Sequence, residues 1–398
     1  MKKSYYSIGI MSGTSLDGLD IALCKFENDR EKQNKTSLWK YEIINTQFVE
    51  YKPFWKEKLQ NAHFLSALEL KKLETEWTDF VAENVNNFVL QSKEFNFSNL
   101  DCISSHGHTI FHQPAQNKGE LGFTLQVGNG AMLAAKTGCQ VVCDFRQTDV
   151  ALGGQGAPLV PIGDELLFAD YDFCLNLGGI ANISFNTFHQ NKTSRIAFDI
   201  CPCNMVLNFL SNQLGFAYDK GGKLAKQGKI DKKLLQKLNH LTFYSESYPK
   251  SLGREWVEQN IFPLLHLPQN IETVESQQKI KDFLHTLTYH SAFQIAESIK
   301  KTEGGLEKSI RKKRKVLVTG GGAYNDVLIH YLKELSPQVE ILKGNSTLIA
   351  YKEALIFAFL GVLRLRKQTN TLATVTGAVK DSCGGTIYLA EPMTFSSS

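Results

Sequence analysis

Three glycine-rich turns each follow an apolar stretch that reads as a strand. They are Ser12-Gly13-Thr14-Ser15-Leu16-Asp17-Gly18, Asn176-Leu177-Gly178-Gly179-Ile180-Ala181-Asn182 and Val318-Thr319-Gly320-Gly321-Gly322-Ala323-Tyr324-Asn325. Glycine lets backbone N–H groups approach an oxyanion closely, and flanking hydroxyls add donors, so such turns suit phosphate. A triglycine that opens a helix also leaves room for a base or ribose against the backbone. Any one of these segments alone reads better as a plain tight turn. Three in one chain, with carboxylates beside them, point to a nucleotide. None has the order G-x-x-x-x-G-K-[ST] or G-x-G-x-x-G, and Gly153-Gly154-Gln155-Gly156 comes nearest, in the wrong frame.

Phosphoryl transfer needs positioning, neutralisation of charge by Mg²⁺, and a group that orients or deprotonates the nucleophile. Asp17 lies inside the first turn, within reach of Mg²⁺ directly or through water. Asp199 closes an expected strand and precedes Cys201-Pro202-Cys203-Asn204, a sharp turn into a helix. A carboxylate there can serve as a general base or can cap the helix, and the spacing leaves both readings open. His106, His108 and His112 form a short cluster that reads as a metal site or as a substrate-facing loop, the latter preferred because no carboxylate or cysteine completes a ligand set. The run Arg311-Lys312-Lys313-Arg314-Lys315 lacks interleaved aromatics and reads as a solvated loop.

These residues need a scaffold of alternating strands and helices. Tyr5–Met11 and Leu19–Phe26 read as a hairpin around the first turn, and Asn28–Ser37 as a charged loop. Apolar residues at Leu65, Leu68, Leu73, Trp77, Phe80, Val81, Val85 and Phe88 predict one face of a long helix. Buried strands are expected at Leu100–Ser104, Gln140–Cys143, Phe173–Leu177, Ile183–Asn186, Arg195–Phe198 and Val316–Thr319, with a last one at Thr386–Leu389. Helices are expected at Gly130–Lys136, Asp282–Lys300, Asp326–Leu335 and Lys352–Leu365. The segment Leu152–Pro161 reads as a long glycine and proline loop. The alternation argues for α/β layers with mixed sheets, and the recurrence of glycine turns is a weak echo of duplication.

With 398 residues, two lobes are the default. Apolar residues make up 42% and charged residues 21%, which is globular composition. A net charge of +4 from 44 basic and 40 acidic residues argues against nucleic acid or an anionic membrane as an obligate partner. No run is long and apolar enough to span a bilayer, and the N-terminal apolar stretch is interrupted too early for a signal peptide. Eight scattered cysteines without paired metal spacing favour a reduced, cytoplasmic setting.

The segment Gly9–Asp20 resembles the phosphate-binding hairpin of the anhydro-N-acetylmuramic acid kinases. The resemblance continues in order through Ser105-His106-Gly107, Asp144-Phe145-Arg146 with Asp149, Gly153–Pro161, Asn176–Ile183, Pro249-Lys250-Ser251 with Gly253-Arg254-Glu255, Gly320–Ala323 with Asn325, Glu353-Ala354 with Phe357-Ala358, and Thr376-Gly377-Ala378. It implies a two-lobe, actin-like ATPase of the ribonuclease H-like class with an interlobe cleft, its lobes expected at 1–130 with 366–398 and at 131–365. It implies ATP and Mg²⁺ as cofactors, an amino-sugar substrate and a homodimer. It also implies a reaction in which water opens the 1,6-anhydro bond at C1 while O6 takes the γ-phosphate, giving N-acetylmuramic acid 6-phosphate in cell-wall recycling.

Roles implied by the resemblance follow its motifs. Asp199 would activate water. Ser12, Gly13, Thr14, Ser15, Leu16, Asp17, Gly18, Leu19 and Asp20 would hold the phosphates, with Asp17 toward the metal. Gly178, Gly179, Gly320, Gly321, Gly322 and Asn325 would complete the ATP site. His106, Asp144, Arg146, Asp149 and Glu353 would line the sugar side.

Five positions in three places depart from the family pattern. The base motif of the family reads Asp-Thr-Gly-Pro-Gly/Ala-Asn, against Asp199-Ile200-Cys201-Pro202-Cys203-Asn204 here. A Cβ in place of glycine is expected to crowd a phosphate or force a different turn. His108 stands where glutamine is usual, and Gly221 where an acidic residue follows Asp219. Two alternatives follow: a kinase for another small sugar or acid on the same fold, and a nucleotide-binding regulator with a weakened active site.

Overall fold

The computed structural model of the chain describes residues 3–28, 39–92, 95, 97–115, 117, 119–189, 192–302, 306 and 313–390. Nearly all of the charged segment after Asn28, and Arg311 and Lys312 of the basic run, lie outside the described residues. The described strands are β1 (Ser4–Ser12), β2 (Gly18–Asn28), β3 (Trp39–Glu50), β4 (Cys102–Ser105), β5 (His108–Gln113), β6 (Phe123–Val127), β7 (Val141–Cys143), β8 (Phe173–Leu177), β9 (Ile180–His189), β10 (Lys192–Pro202), β11 (Arg314–Thr319), β12 (Val339–Lys343) and β13 (Thr386–Tyr388).

The chain divides into one unit of residues 1–169 with 351–398 and a second of residues 170–350. These divisions differ from the expected 130/131 and 365/366. β7 pairs with β4 and so belongs to the first sheet. The helix Ser346–Leu365 breaks its helical geometry at Tyr351, where the units divide, and its second part packs on the first sheet. Two glycines allow that packing. A Cβ at Gly9 would overlap the carbonyl of Ala354, and one at Gly361 would overlap the hydroxyl of Ser104.

In the first unit the sheet order is β13-β7-β4-β1-β2-β3. β1, β2 and β3 are successively antiparallel, whereas β4 is parallel to β1 and β7 to β4. β13 adds an antiparallel edge. In the second unit the order is β10-β9-β8-β11-β12. Again the first three strands are antiparallel, and β11 and β12 run parallel to β8. Both units therefore carry the order 3-2-1-4-5 with the same strand directions, the ribonuclease H-like pattern. Its repetition in one chain is the architecture of actin-like ATPases and accounts for the repeated glycine turns.

The central strands form because both of their faces are covered. Ile8 and Ile10 in β1, and Val316 and Val318 in β11, are fully buried. The predicted first helix spans Ala67–Gln91 and buries Leu73, Trp77, Val81, Val85 and Phe88. Ser66 and Glu69 cap its start reciprocally. The helix Val274–Thr302 likewise buries Phe283, Leu284, Leu287, Ile295 and Ile299 against the second unit's cores. No helix among the described residues is long and apolar enough to cross a membrane.

Candidate active site

Within each sheet the expected site residues emerge at the carboxyl ends of the parallel strands, where open α/β sheets bind ligands. In the first unit β1 ends at the Ser12 turn, β4 at His106-Gly107-His108 and β7 at Asp144-Phe145-Arg146. The parallel register continues one bond past β4, because the His106 N–H donates to the Ile10 carbonyl at 3.0 Å. In the second unit β8 ends at Gly178-Gly179 and β11 at Gly320-Gly321-Gly322.

The first turn is tight. Leu16 adopts φ 58° and its N–H donates to the Gly13 carbonyl at 3.2 Å. Thr14, Ser15 and Asp17 are exposed, whereas Ser12, Gly18 and Leu19 are buried. Leu19 is a core residue, so its part in the motif is to anchor the hairpin. Asp20 is pushed up to about 7 by burial, and then by the like charges of Glu353 and Asp17. Glu353 reaches this neighbourhood because Gly9 lets its helix settle on β1. Desolvation raises its carboxyl, offset in part by Lys352 and Arg146.

Arg146 organises the opposite side of this edge. Its Nε and Nη2 approach His106 Nε2 at 3.0 and 2.9 Å, and Nη1 donates to the Gly156 carbonyl at 2.6 Å. Since Nε2 accepts, His106 carries its proton on Nδ1, which lies 2.9 Å from the Gly107 carbonyl. Burial, then the Arg146 charge, holds His106 well below its usual pKa, so the ring stays neutral. Desolvation lowers Arg146 to about 10, which leaves it charged at neutral pH. Asp144 takes φ 59°, a left-handed conformation that Asp tolerates better than most residues, and desolvation raises its carboxyl.

Asp149 plays a different part from its neighbours. It is fully buried, and its carboxylate accepts the Gly156 N–H at 2.8 Å and the Thr376 hydroxyl at 2.7 Å. Both oxygens thus hold the Gly153–Gly156 loop against the Thr376-Gly377-Ala378 segment. A Cβ at Gly154 would overlap the Asp149 carboxylate, which explains the glycine there. The three histidines do not converge. His106 meets Arg146, His108 meets Ser12 and His112 meets Thr124. No cluster of three metal-ligating side chains occurs among the described residues.

Asp199 sits within β10 rather than at its end, because the strand runs on to Pro202 through a bulge between Asp199 and Cys201. The cap position of the next helix (Asn204–Gln213) falls to Cys203, so the capping alternative for Asp199 is ruled out. The Leu252 N–H donates to Asp199 Oδ2 at 2.8 Å, and the Asp199 N–H donates to the Lys250 carbonyl at 3.1 Å. Lys250 is held in turn, its ammonium 2.8 Å from the Phe243 carbonyl and over the Phe243 ring. The Pro249–Glu255 motif thereby fixes the carboxylate. Oδ1 has no protein partner among the described residues, and desolvation raises the carboxyl above its ordinary range.

The departures in the base motif point inward. Ile200, Cys201 and Cys203 are all buried in the second unit's core. Cys201 Sγ meets the Ser291 carbonyl at 3.8 Å, and Cys203 Sγ meets Asn204 Oδ1 at 3.9 Å. The added side chains at these three positions fill core volume. Nearby, the N–H groups of Cys203 and Met205 donate to Gly179 and that of Asn204 to Gly178. A Cβ at Gly320 would overlap Asn176 Oδ1 and Leu177, so the triglycine turn nests on the β8 end. Asn325 caps the helix Asp326–Leu335 through the Leu328 N–H.

Residues 5–390 match the family model described as anhydro-N-acetylmuramic acid kinase. The protein of that name from Pseudomonas syringae pv. syringae is 34% identical over 97% of this chain and 100% of its own length. The one from Haemophilus influenzae is 33% identical over 98% of each chain. Among solved structures, the activator of the 2-hydroxyisocaproyl-CoA dehydratase from Clostridium difficile with bound ADPNP aligns with 91% of this chain and 97% of its own, at a TM-score of 0.42 and 10% identity. The repeated strand order, not that likeness, carries the fold.

Proposed function

The chain belongs to the anhydro-N-acetylmuramic acid kinase family, and we propose that it catalyses the ATP-dependent hydrolysis and phosphorylation of anhydro-N-acetylmuramic acid in cell-wall recycling. The observation that carries this reading is Asp199: one oxygen clipped by a backbone N–H, the other available, and its basicity raised by desolvation. Those are the properties of a positioned general base.

In the reaction, Asp199 takes a proton from water as the water oxygen bonds to C1 of the sugar. The C1–O6 bond breaks, and O6 bonds to the γ-phosphorus as the bond to the β-phosphate oxygen breaks and ADP leaves. The backbone N–H groups of the Ser12–Asp20 turn, with the Thr14 and Ser15 hydroxyls, hold the phosphates. Gly178, Gly179, Gly320, Gly321, Gly322 and Asn325 serve the nucleotide. Arg146, Glu353, Asp144 and His106 serve the sugar side.

The carboxylates at the first turn suit a Mg²⁺ ion: burial first, and then the like charges of Glu353 and Asp17, raise Asp20, and a cation would relieve that repulsion. Mg²⁺ is commonly held by one or two carboxylates together with substrate phosphates. Asp17 would hold it, directly or through water, and the ion would supply charge neutralisation at the transferred phosphate. The reading includes a cytoplasmic setting, in keeping with eight scattered cysteines rather than a disulfide scaffold, and a homodimer, which rests on the family alone.

Sugar-dependent release of ADP by the purified protein, with a ring-opened, 6-phosphorylated product, tests the proposal. ATP binding without sugar turnover would favour a regulator, and turnover of a different sugar would favour the other kinase alternative. Light scattering of the same preparation reads the dimer.

A further inference from the structure

The phosphate turn is pinned from beneath by a residue that belongs to none of the sequence motifs. Tyr51 follows β3 and is 1% exposed. Its backbone N–H donates to the Asp17 carbonyl at 3.0 Å, and its hydroxyl lies 2.7 Å from Ser12 Oγ. One residue thus holds both ends of the Ser12–Asp17 turn. The indole N–H of Trp77, from the helix Ala67–Gln91, donates to the same hydroxyl at 3.1 Å. On the other side, Ser12 Oγ lies 2.8 Å from His108 Nδ1.

Hydrogen-bond chemistry gives this chain a direction. Trp77 can only donate, so Tyr51 accepts from it, and the buried Tyr51 hydroxyl proton is met by donating to its other neighbour, Ser12 Oγ. Ser12 then donates to His108 Nδ1. Burial lowers His108 to about 4, so the ring is neutral and able to accept. All four side chains are at most 2% exposed, so water does not compete for these bonds. The Ser12 hydroxyl is therefore spent inside the protein. Thr14 and Ser15, which are exposed, are the hydroxyls left for a phosphate.

We infer that Trp77, Tyr51, Ser12 and His108 form a directional hydrogen-bond relay that presets the phosphate turn, with Tyr51 and His108 as positioning residues for ATP. His108, a departure from the family pattern, is thereby given a role as the terminal acceptor. The inference rests on the kinase reading above and adds to it how the turn is held.

The test compares Mg-ATP binding by calorimetry, and KM for ATP and for the sugar, in the full-length protein and its variants. Tyr51→Phe removes one buried oxygen, and His108→Leu removes the acceptor. Each is expected to weaken ATP binding about tenfold, the scale of one buried hydrogen bond, with KM for the sugar unchanged. Because both act through Ser12, the double variant is expected to lose little more than either single one. His108→Asn, which keeps a polar atom where Nδ1 lies, is expected to hold ATP affinity near that of the parent. Ser12→Ala, the smallest change, reads the same relay should a larger one unfold, and is expected to weaken ATP binding to the same degree. ATP affinity within twofold of the parent in folded Tyr51→Phe, or in Ser12→Ala, would overturn the relay while leaving the kinase reading intact. A parent protein that binds no Mg-ATP would overturn both.

Discussion

The Leu252 N–H donates to one carboxylate oxygen of Asp199 at 2.8 Å, which orients the carboxylate and leaves its second oxygen open for the proposed role as base. Replacing Asp199 with Asn keeps an acceptor for Leu252 and removes the base. A fall in kcat of about 10²–10⁴-fold is expected, with ATP binding retained. Single-turnover kinetics and calorimetry on the variant check it, and unaltered turnover would remove Asp199 from the mechanism.

The same residue sets a pH dependence. Desolvation raises the folded-state pKa of Asp199 above its unfolded value. The folded protein therefore favours the protonated form. Any stability tied to that proton is present at low pH and is lost as pH rises through the folded pKa. Activity runs the other way, because the base must be ionised, so kcat falls as pH drops through the raised pKa. In Asp199→Asn the stability term vanishes, and thermal stability at neutral pH is expected to equal or exceed that of the parent.

Arg146 makes three hydrogen bonds, two to His106 Nε2 and one to the Gly156 carbonyl. Lysine cannot reproduce that planar fork. Arg146→Lys is expected to raise KM for the sugar about tenfold or more, since a lost charged hydrogen bond is worth about 1.5–3 kcal/mol. His106→Gln, which keeps an acceptor near Nε2, should be milder than His106→Leu. Equal effects of the two His106 variants would show that the ring acts by bulk alone.

Burial raises both thiols of the base motif, Cys203 to about 12 and Cys201 well above its ordinary value. Neither is expected to react with iodoacetamide in the native protein, whereas both should react after unfolding in denaturant. Because the sulfurs fill core volume, Cys203→Ala is expected to cost about 1 kcal/mol of stability without raising kcat. A marked gain in kcat would mean that the thiol obstructs the site.

Gly9 is the point where β1 meets the helix that carries Glu353. Gly9→Ala would force that helix outward and is expected to destabilise the protein by about 1–3 kcal/mol, read as a lower denaturation midpoint. Activity should fall further than stability, since Glu353 moves with the helix. Full activity in a folded variant would show that the placement of Glu353 tolerates the shift.

Much of this protein was written locally. The helix Ala67–Gln91, the strands β1, β8 and β11 and the three glycine turns follow from periodicity and from the backbone freedom of glycine. Those are short-range properties of the chain. β3 and the β5–β6 hairpin were not legible, because edge strands carry mixed residues such as Lys40, Glu42 and Gln47 and lack a buried run. The sequence could also name Asp199 but not its setting. Whether it caps a helix or stands in a strand depends on the bulge beside Cys201 and on a backbone N–H more than fifty residues away.

By itself the sequence determined the turns, the carboxylates and the family. Only the tertiary structure decided which of these groups stay open and which are spent inside. Asp149 is consumed by Gly156 and Thr376, Ser12 by Tyr51 and His108, and the two cysteines by the core. The reason is physical: a polar group's availability depends on the partners that distant segments bring to it, and an unmet buried donor or acceptor is too costly to leave unmade.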